Sequence, residues 1–241
     1  MQLSHLKILN FRNLIDVDLK PCAGVNLISG INASGKTSLL ESIYYLSHLR
    51  SFRTPNLSDL INNNADRIEL FASAIDSAGN QIPVGIFRSK QKLEVRANHR
   101  NIRRIADIAS ILPVMAIHPD SYRLITGSPT ERRAYIDWGL LHVEHGFFDS
   151  RQRYKRALSQ RNSALRSGQT MSYCSLWVQE LDQASNYIDK LRHAYIEVID
   201  SYFSDLLSLF FPKKVVKFDY KRGWKNGLSL LVVLQQTQDQ D

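Results

Sequence analysis

The chain has 241 residues, 44% hydrophobic and 22% charged, with a formal net charge of +8. That length supports one or two domains with a buried core, and the composition excludes a collagen-like or disordered chain. No apolar run approaches the roughly 18 residues of a membrane helix. Cys22 and Cys174 lie too far apart for a disulfide framework or zinc spacing, and the N-terminus lacks a secretory layout, so the chain reads as cytoplasmic with no membrane partner.

In chain order, Leu6, Ile8 and Asn10 alternate with His5, Lys7 and Leu9, and Ile15, Val17 and Leu19 alternate with Asp16, Asp18 and Lys20. Both patterns predict half-buried strands. Residues 25–28 form a short apolar run ending at Ser29 and Gly30, as a buried strand entering a turn would. Leu39, Leu40, Ile43, Tyr44 and Leu46 then recur at helical spacing. Residues 68–97 alternate around the turn SAGNQ and predict an antiparallel meander. Residues 112–117 read as one more buried strand, closed by Pro119.

From there the chain turns helical. Ser128, Pro129 and Glu131 have the layout of a capped helix start, with proline in the first turn and glutamate three residues after the cap. Phe148, Tyr154, Leu158 and Leu165 mark a second helix. Leu181, Ala184, Ile188, Leu191, Tyr195, Val198 and Tyr202 form a heptad seam on a third. Gly168, with Ser167 and Ser172, supplies the connection, so an antiparallel helical hairpin is expected. The expected divisions are 1–127 for a strand-rich lobe, 128–212 for a helical lobe, and 213–241 for a further segment.

Residues 30–37, GINASGKT, fit G-x-x-x-x-G-K-[ST] between an apolar segment and an amphipathic helix. The chemistry explains the spacing. Gly30 permits a sharp exit from the preceding segment. Ile31, Asn32, Ala33 and Ser34 carry the backbone round the anion, and Gly35 lets N–H groups approach without a Cβ in the way. The helix beginning near Lys36 turns its positive end to the phosphates, Lys36 would neutralise their charge, and the Thr37 hydroxyl would ligate Mg²⁺. The pattern points to ATP with Mg²⁺.

The positive charge is clustered. Arg88 to Arg104 includes seven Lys/Arg against Glu94, residues 151–166 hold six with no acid, and residues 213–225 hold six against Asp219. Such clusters attract polyanions, although each alone also suits a solvated face. Three clusters favour a nucleic-acid partner, and the candidate contacts are Arg96, Arg100, Arg103 and Arg104, with Arg132 and Arg133 on the first turn of the capped helix.

Further residues carry a family resemblance. These are LKILNFRN at 6–13, GINASGKTSLLESIYYLSHLRSFRT at 30–54, His118-Pro119-Asp120-Ser121, Leu124, Gly127, Pro129, Arg132-Arg133, Ile136-Asp137-Trp138 and Gln160-Arg161-Asn162. In order and spacing the chain resembles the RecF family of bacterial recombination-repair ATPases, of the ABC class related to SMC proteins. The resemblance implies an α/β, ABC-ATPase-like P-loop lobe with an antiparallel meander and an α-helical lobe. It implies ATP-dependent binding to single-stranded, double-stranded or gapped DNA and to junctions, with recombinase loading, support of the SOS response, RecO and RecR as partners, and an ATP-dependent homodimer in full-length relatives. By the same resemblance Arg12, with Asn13 beside it, contacts the nucleotide; a surface arginine on a turn is the other reading. Asn32 matches the usual loop, whereas Ala33 replaces a glycine, which strains any positive φ there.

An ABC-type ATPase also needs an apolar strand ending in acids and a serine-glycine signature loop, and neither pattern occurs. Residues 230–234 are apolar enough for such a strand, but Gln235 and Gln236 follow. The expectation is therefore an N-terminal fragment or truncated product, marginally stable, that binds ATP and hydrolyses it poorly, with no catalytic residue assigned. The alternatives are a P-loop kinase, against which an antiparallel meander after the loop helix argues, and a scaffold with a vestigial loop.

Overall fold

The computed structural model describes residues 1–236 apart from 103, 145, 169–174, 214 and 226, so Arg103, His145 and Cys174 lie outside the described residues. The chain divides into two units, Met1–Pro119 and Asp120–Asp241.

In the first unit the alternating N-terminal segments become the hairpin of β1 (Gln2–Phe11) and β2 (Leu14–Leu19), which sets Leu6 opposite Leu19 and Ile8 opposite Val17. The other edge of β1 pairs with β3 (Arg67–Ile75), and the meander continues through β4 (Gln81–Ser89), β5 (Leu93–Ala97) and the short β6 (Arg100–Asn101). The sheet order is β2-β1-β3-β4-β5-β6, with every pair antiparallel. Turn chemistry fixes the β3–β4 register, because the Asp76 carboxylate accepts the N–H groups of Ala78 and Asn80 at 2.8 and 2.9 Å. Since side chains alternate across a strand, Leu6, Ile8, Ile68, Leu70, Val84 and Ile86 share one buried face. Two helices, α1 (Lys36–His48) and α2 (Ile105–Ile111), supply Tyr45, Leu46 and Ile108 to the same core.

Of the apolar positions expected to pack, Leu39, Ile43 and Leu46 lie against the core, and the packed side of α1 also takes in polar residues. Ser38, Glu41, Ser42, Tyr45 and Leu46 are buried, whereas Leu40 is exposed.

Both expected buried strands are corrected. Residues 25–28 and 112–117 carry no strand, and Val25, Leu27 and Ile117 are 92%, 91% and 87% exposed. Apolar composition demands burial, but a strand exists only as part of a ladder. Among the described residues neither segment has a strand partner.

In the second unit α3 (Arg123–Thr126) precedes α4 (Pro129–Val143). The start of α4 is the one expected: the Ser128 N–H donates to Glu131 Oε2 at 2.7 Å, and proline takes the first turn. Helices α5 (Phe147–Arg166) and α6 (Ser175–Phe210) run antiparallel, because Arg153 bonds Glu180 while Gly146, seven residues earlier, abuts Tyr187, seven residues later. The α6 seam is buried at Val178, Leu181, Ala184 and Ile188. Further on, Val198 and Tyr202 are exposed, because α5 begins at Phe147 and leaves the end of α6 without that neighbour.

The last segment packs back along α6. Phe218 N–H donates to Asp200, the Tyr220 hydroxyl to Asp189, and the Leu231 N–H to Asp182. Residues 230–234 are therefore not a strand but part of α7 (Leu230–Gln236). The division between units falls at Pro119, ahead of the expected boundary after residue 127.

Candidate functional site

The loop at 30–37 leads into α1, whose first turn carries no acid. Its conformation is held from two directions. Lys36 Nζ donates to the carbonyls of Gly30 and Ile31 at 2.8 and 2.7 Å, folding the ammonium into the loop. Asn13, on the β1–β2 turn, donates from Nδ2 to Ala33 O at 3.1 Å and accepts from Ser38 Oγ at 2.8 Å. One asparagine thus ties the loop to the first turn of α1.

Two positions need unusual backbone. Gly35 sits at φ +98°, and a Cβ there would stand 2.7 Å from Leu14 Cδ2. The glycine is required by packing against β2 as well as by any approach of a phosphate. Ala33 adopts φ +65°, so the strain expected of a non-glycine residue there is present. Asn32, Ser34 and Thr37 are exposed, and the hydroxyl of Thr37 makes no hydrogen bond among the described residues. The arrangement leaves backbone N–H groups at a helix start, an ammonium within the loop and an open hydroxyl, which is chemistry for holding a polyanion.

Arg12 has a different immediate partner. Its Nε and Nη2 donate to Glu41 Oε2 and Oε1 at 2.5 and 2.7 Å. Glu41 is fully buried, also accepts from Ser51 Oγ, and lies 3.4 Å from Arg53. Glu41, Ser51 and Arg53 lie in the 30–54 stretch that carries the family resemblance, but the sequence assigned them no contact. Polar residues at helical spacing ordinarily mark a solvated face, so the sequence carried no signal for this burial.

Other arginines are dispersed. Arg96 and Arg100 lie exposed on β5 and β6, and Arg104 precedes α2, 3.6 Å from Asp107. In the second unit Arg132 donates to the carbonyls of Ile125 and Gly127 at 3.3 and 2.9 Å, bracing the turn into α4. Arg133 is exposed and donates to Thr130 Oγ1 at 3.1 Å. Among the described residues no three His, Cys, Asp or Glu side chains gather into a metal site, and no helix is long and apolar enough to cross a membrane.

Comparison with known proteins places this architecture. The family model described as RecF/RecN/SMC N terminal domain matches residues 2–188. The DNA replication and repair protein RecF of Chromohalobacter salexigens is 38% identical over 242 residues, covering 100% of this chain and 67% of that protein. The protein of the same name from Vibrio cholerae is 35% identical over 246 residues, covering 100% and 68%. A solved structure of the recombination mediator protein RecF with ATP, in the RecFOR pathway, matches with a TM-score of 0.84 at 24% identity, covering 100% of this chain and 67% of that one. At that identity the likeness establishes the fold, which is α/β and ABC-ATPase-like. This chain spans about two thirds of the length of these relatives. With a loop-and-helix start on an antiparallel sheet, a helical second unit and a family match over most of its length, the chain belongs to the RecF/RecN/SMC N-terminal-domain family and, within it, to the RecF proteins.

Proposed function

We propose that this chain binds ATP at residues 30–37 and serves as the nucleotide-binding part of a DNA-binding protein of recombinational repair and replication. The observation that carries the reading is Lys36, folded onto the Gly30 and Ile31 carbonyls at the start of a helix without first-turn acids. An incoming triphosphate would draw that ammonium onto its own oxygens. Asn13 would keep the loop in register, and Arg12 would meet the nucleotide through Nη1, the nitrogen not bonded to Glu41. Mg²⁺ would rest on Thr37 and the phosphate oxygens, a hard-oxygen donor set suited to that ion; it would neutralise phosphate charge.

The relatives' shared name, DNA replication and repair protein RecF, supports the cellular setting. The finer reading is action in the cytoplasm at single-stranded or gapped DNA and junctions, with RecO and RecR, in recombinase loading and the SOS response. An ATP-dependent homodimer belongs to the same reading. Exposed Arg96, Arg100 and Arg104 and the clustered positive charge support the DNA part. The sheet that follows α1 is an antiparallel meander, which disfavours a P-loop kinase.

The test is a thermal melt with and without ATP and Mg²⁺. At about 100 times Kd a ligand specific to the folded state adds about 2.7 kcal/mol, worth roughly 5–10 °C at this size. Lys36→Ala should abolish the shift. A cooperative melt that ATP leaves unmoved, or an equal shift in the variant, overturns the proposal.

A further inference from the structure

The second unit contains a cavity of about 540 Å³ whose wall gathers cations from four elements. Arg133 comes from α4, Arg151 and Lys155 from α5, Arg192 from α6, and Arg222 from the segment before α7. Among the described residues two carboxylates face these five cations, Asp137 and Asp189.

Both acids are already engaged. Asp137 is buried, and its oxygens accept from Arg151 Nε at 2.9 Å and Arg192 Nε at 2.8 Å. Asp189 accepts the Tyr220 hydroxyl at 2.9 Å and lies 3.4 Å from Arg222 Nε. That Nε is buried and makes no hydrogen bond. Arg133 donates to Thr130, and among the described residues Lys155 has no acidic partner. A positive excess of this kind is stabilised when an anion enters, and guanidinium forks suit phosphate oxygens in pairs.

Two aromatic side chains belong to the same wall. Tyr154 and Trp224 line it, and the Arg222 guanidinium lies 4.3 Å from the Trp224 ring centroid. Cationic donors beside aromatic rings are the two elements of sequence-tolerant single-strand binding, phosphate attraction and base stacking. The volume falls within the range of small-ligand sites.

We propose that this cavity is a nucleotide site separate from the loop at 30–37: it takes a phosphate of single-stranded DNA between Arg133, Lys155 and Arg222, with the attached nucleoside against Trp224 and Tyr154. The inference rests on the DNA-binding reading above and gives it a location in the helical unit.

The test uses the 241-residue chain with Lys36→Ala, so that the loop at 30–37 does not contribute, and a fluorescein-labelled twelve-nucleotide oligo-dT read by anisotropy at several salt concentrations. Arg133 and Lys155 are exposed, so Arg133→Glu with Lys155→Glu should leave the thermal melt unchanged. That variant should bind at least tenfold more weakly, with a salt dependence shallower by about 0.7 in slope for each phosphate no longer neutralised. Arg96→Glu with Arg100→Glu serves as the comparison in the first unit. Competition by thymidine 5′-monophosphate at a concentration similar to that of the oligomer would support the site and make a free nucleotide its source. An oligomer affinity that the Arg133/Lys155 reversal leaves within twofold overturns the site while leaving DNA binding elsewhere intact. Absence of oligomer binding by the parent overturns the site and the DNA reading together, but not the ATP reading, which the melt tests. Displacement of the oligomer by a hexaglutamate peptide as readily as by thymidine monophosphate also overturns the nucleotide assignment.

Discussion

Glu41, buried on α1, grips the Arg12 guanidinium with both carboxylate oxygens, at 2.5 and 2.7 Å. The two residues are 29 positions apart, and their bond joins the β1–β2 turn to the helix that follows the loop at 30–37. A carboxylate removed from water is stable only if its charge is met, and Arg12 does most of that, helped by Ser51 and the more distant Arg53. Arg12→Ala should therefore destabilise the chain by about 3 kcal/mol, the order found when one partner of a buried pair is removed. Glu41→Gln, which keeps the shape and an acceptor, should be milder at about 1–2 kcal/mol. Urea denaturation of both variants checks the order; near-neutral Arg12→Ala would show that Glu41 is not held in this way.

That pair marks the limit of what could be read from the sequence. The β1–β2 alternation, the meander and the capped start at Ser128 were legible because each is decided within a few residues, by period or by local hydrogen bonding. The turn into a helix after residue 35 and the positive φ at Ala33 were legible for the same reason. Residues 25–28 and 112–117 were misread because hydrophobicity states a demand for burial without naming the strand that would meet it. Glu41 was missed because an acid on a helix is ordinarily solvated, and only the distant Arg12 permits otherwise.

The loop backbone makes two opposed predictions. A non-glycine residue near φ +65° bears roughly 1–2 kcal/mol of strain, partly offset by the lower entropy of its unfolded chain, about 0.4–1 kcal/mol. Ala33→Gly should accordingly stabilise by about 0.5 kcal/mol and preserve the Asn13 contact to the residue 33 carbonyl. Gly35→Ala combines φ +98° with a 2.7 Å approach to Leu14, so it should destabilise by about 2 kcal/mol or more and weaken nucleotide binding. Chemical denaturation of the two variants gives the signs; a stabilising Gly35→Ala would contradict the packing described.

Val25 and Leu27 stand 92% and 91% exposed, directly before the loop at 30–37. Truncating a core leucine costs about 2–5 kcal/mol, whereas a surface position shifts stability by about 0.5 kcal/mol or less. Val25→Ser with Leu27→Ser should thus leave the denaturation midpoint almost unmoved, while lowering the binding of a hydrophobic dye. A loss of several kcal/mol would mean that the segment is packed in solution after all.

Tyr220 supplies a pH dependence. Burial first, and then the hydrogen bond to Asp189, hold its phenol protonated and push its pKa up to about 12 from 10.0. In the unfolded chain the phenol ionises near 10, so its contribution is fully present below pH 10. As pH rises from 10 to about 12 the unfolded state loses its proton while the folded state keeps it, and stability falls. Tyr220→Phe has no proton to lose there. Below pH 10 it should be less stable than the parent by about 1 kcal/mol, for the missing hydrogen bond to a carboxylate at a half-buried site. Between pH 10 and 11.5 the difference should shrink, because only the parent carries the ionisation penalty while both lose stability equally through their other groups. Urea midpoints of the two proteins at pH 8, 9.5, 10.5 and 11.5 test this, and a gap that stays constant across the series would sink the assignment of the shift to Tyr220.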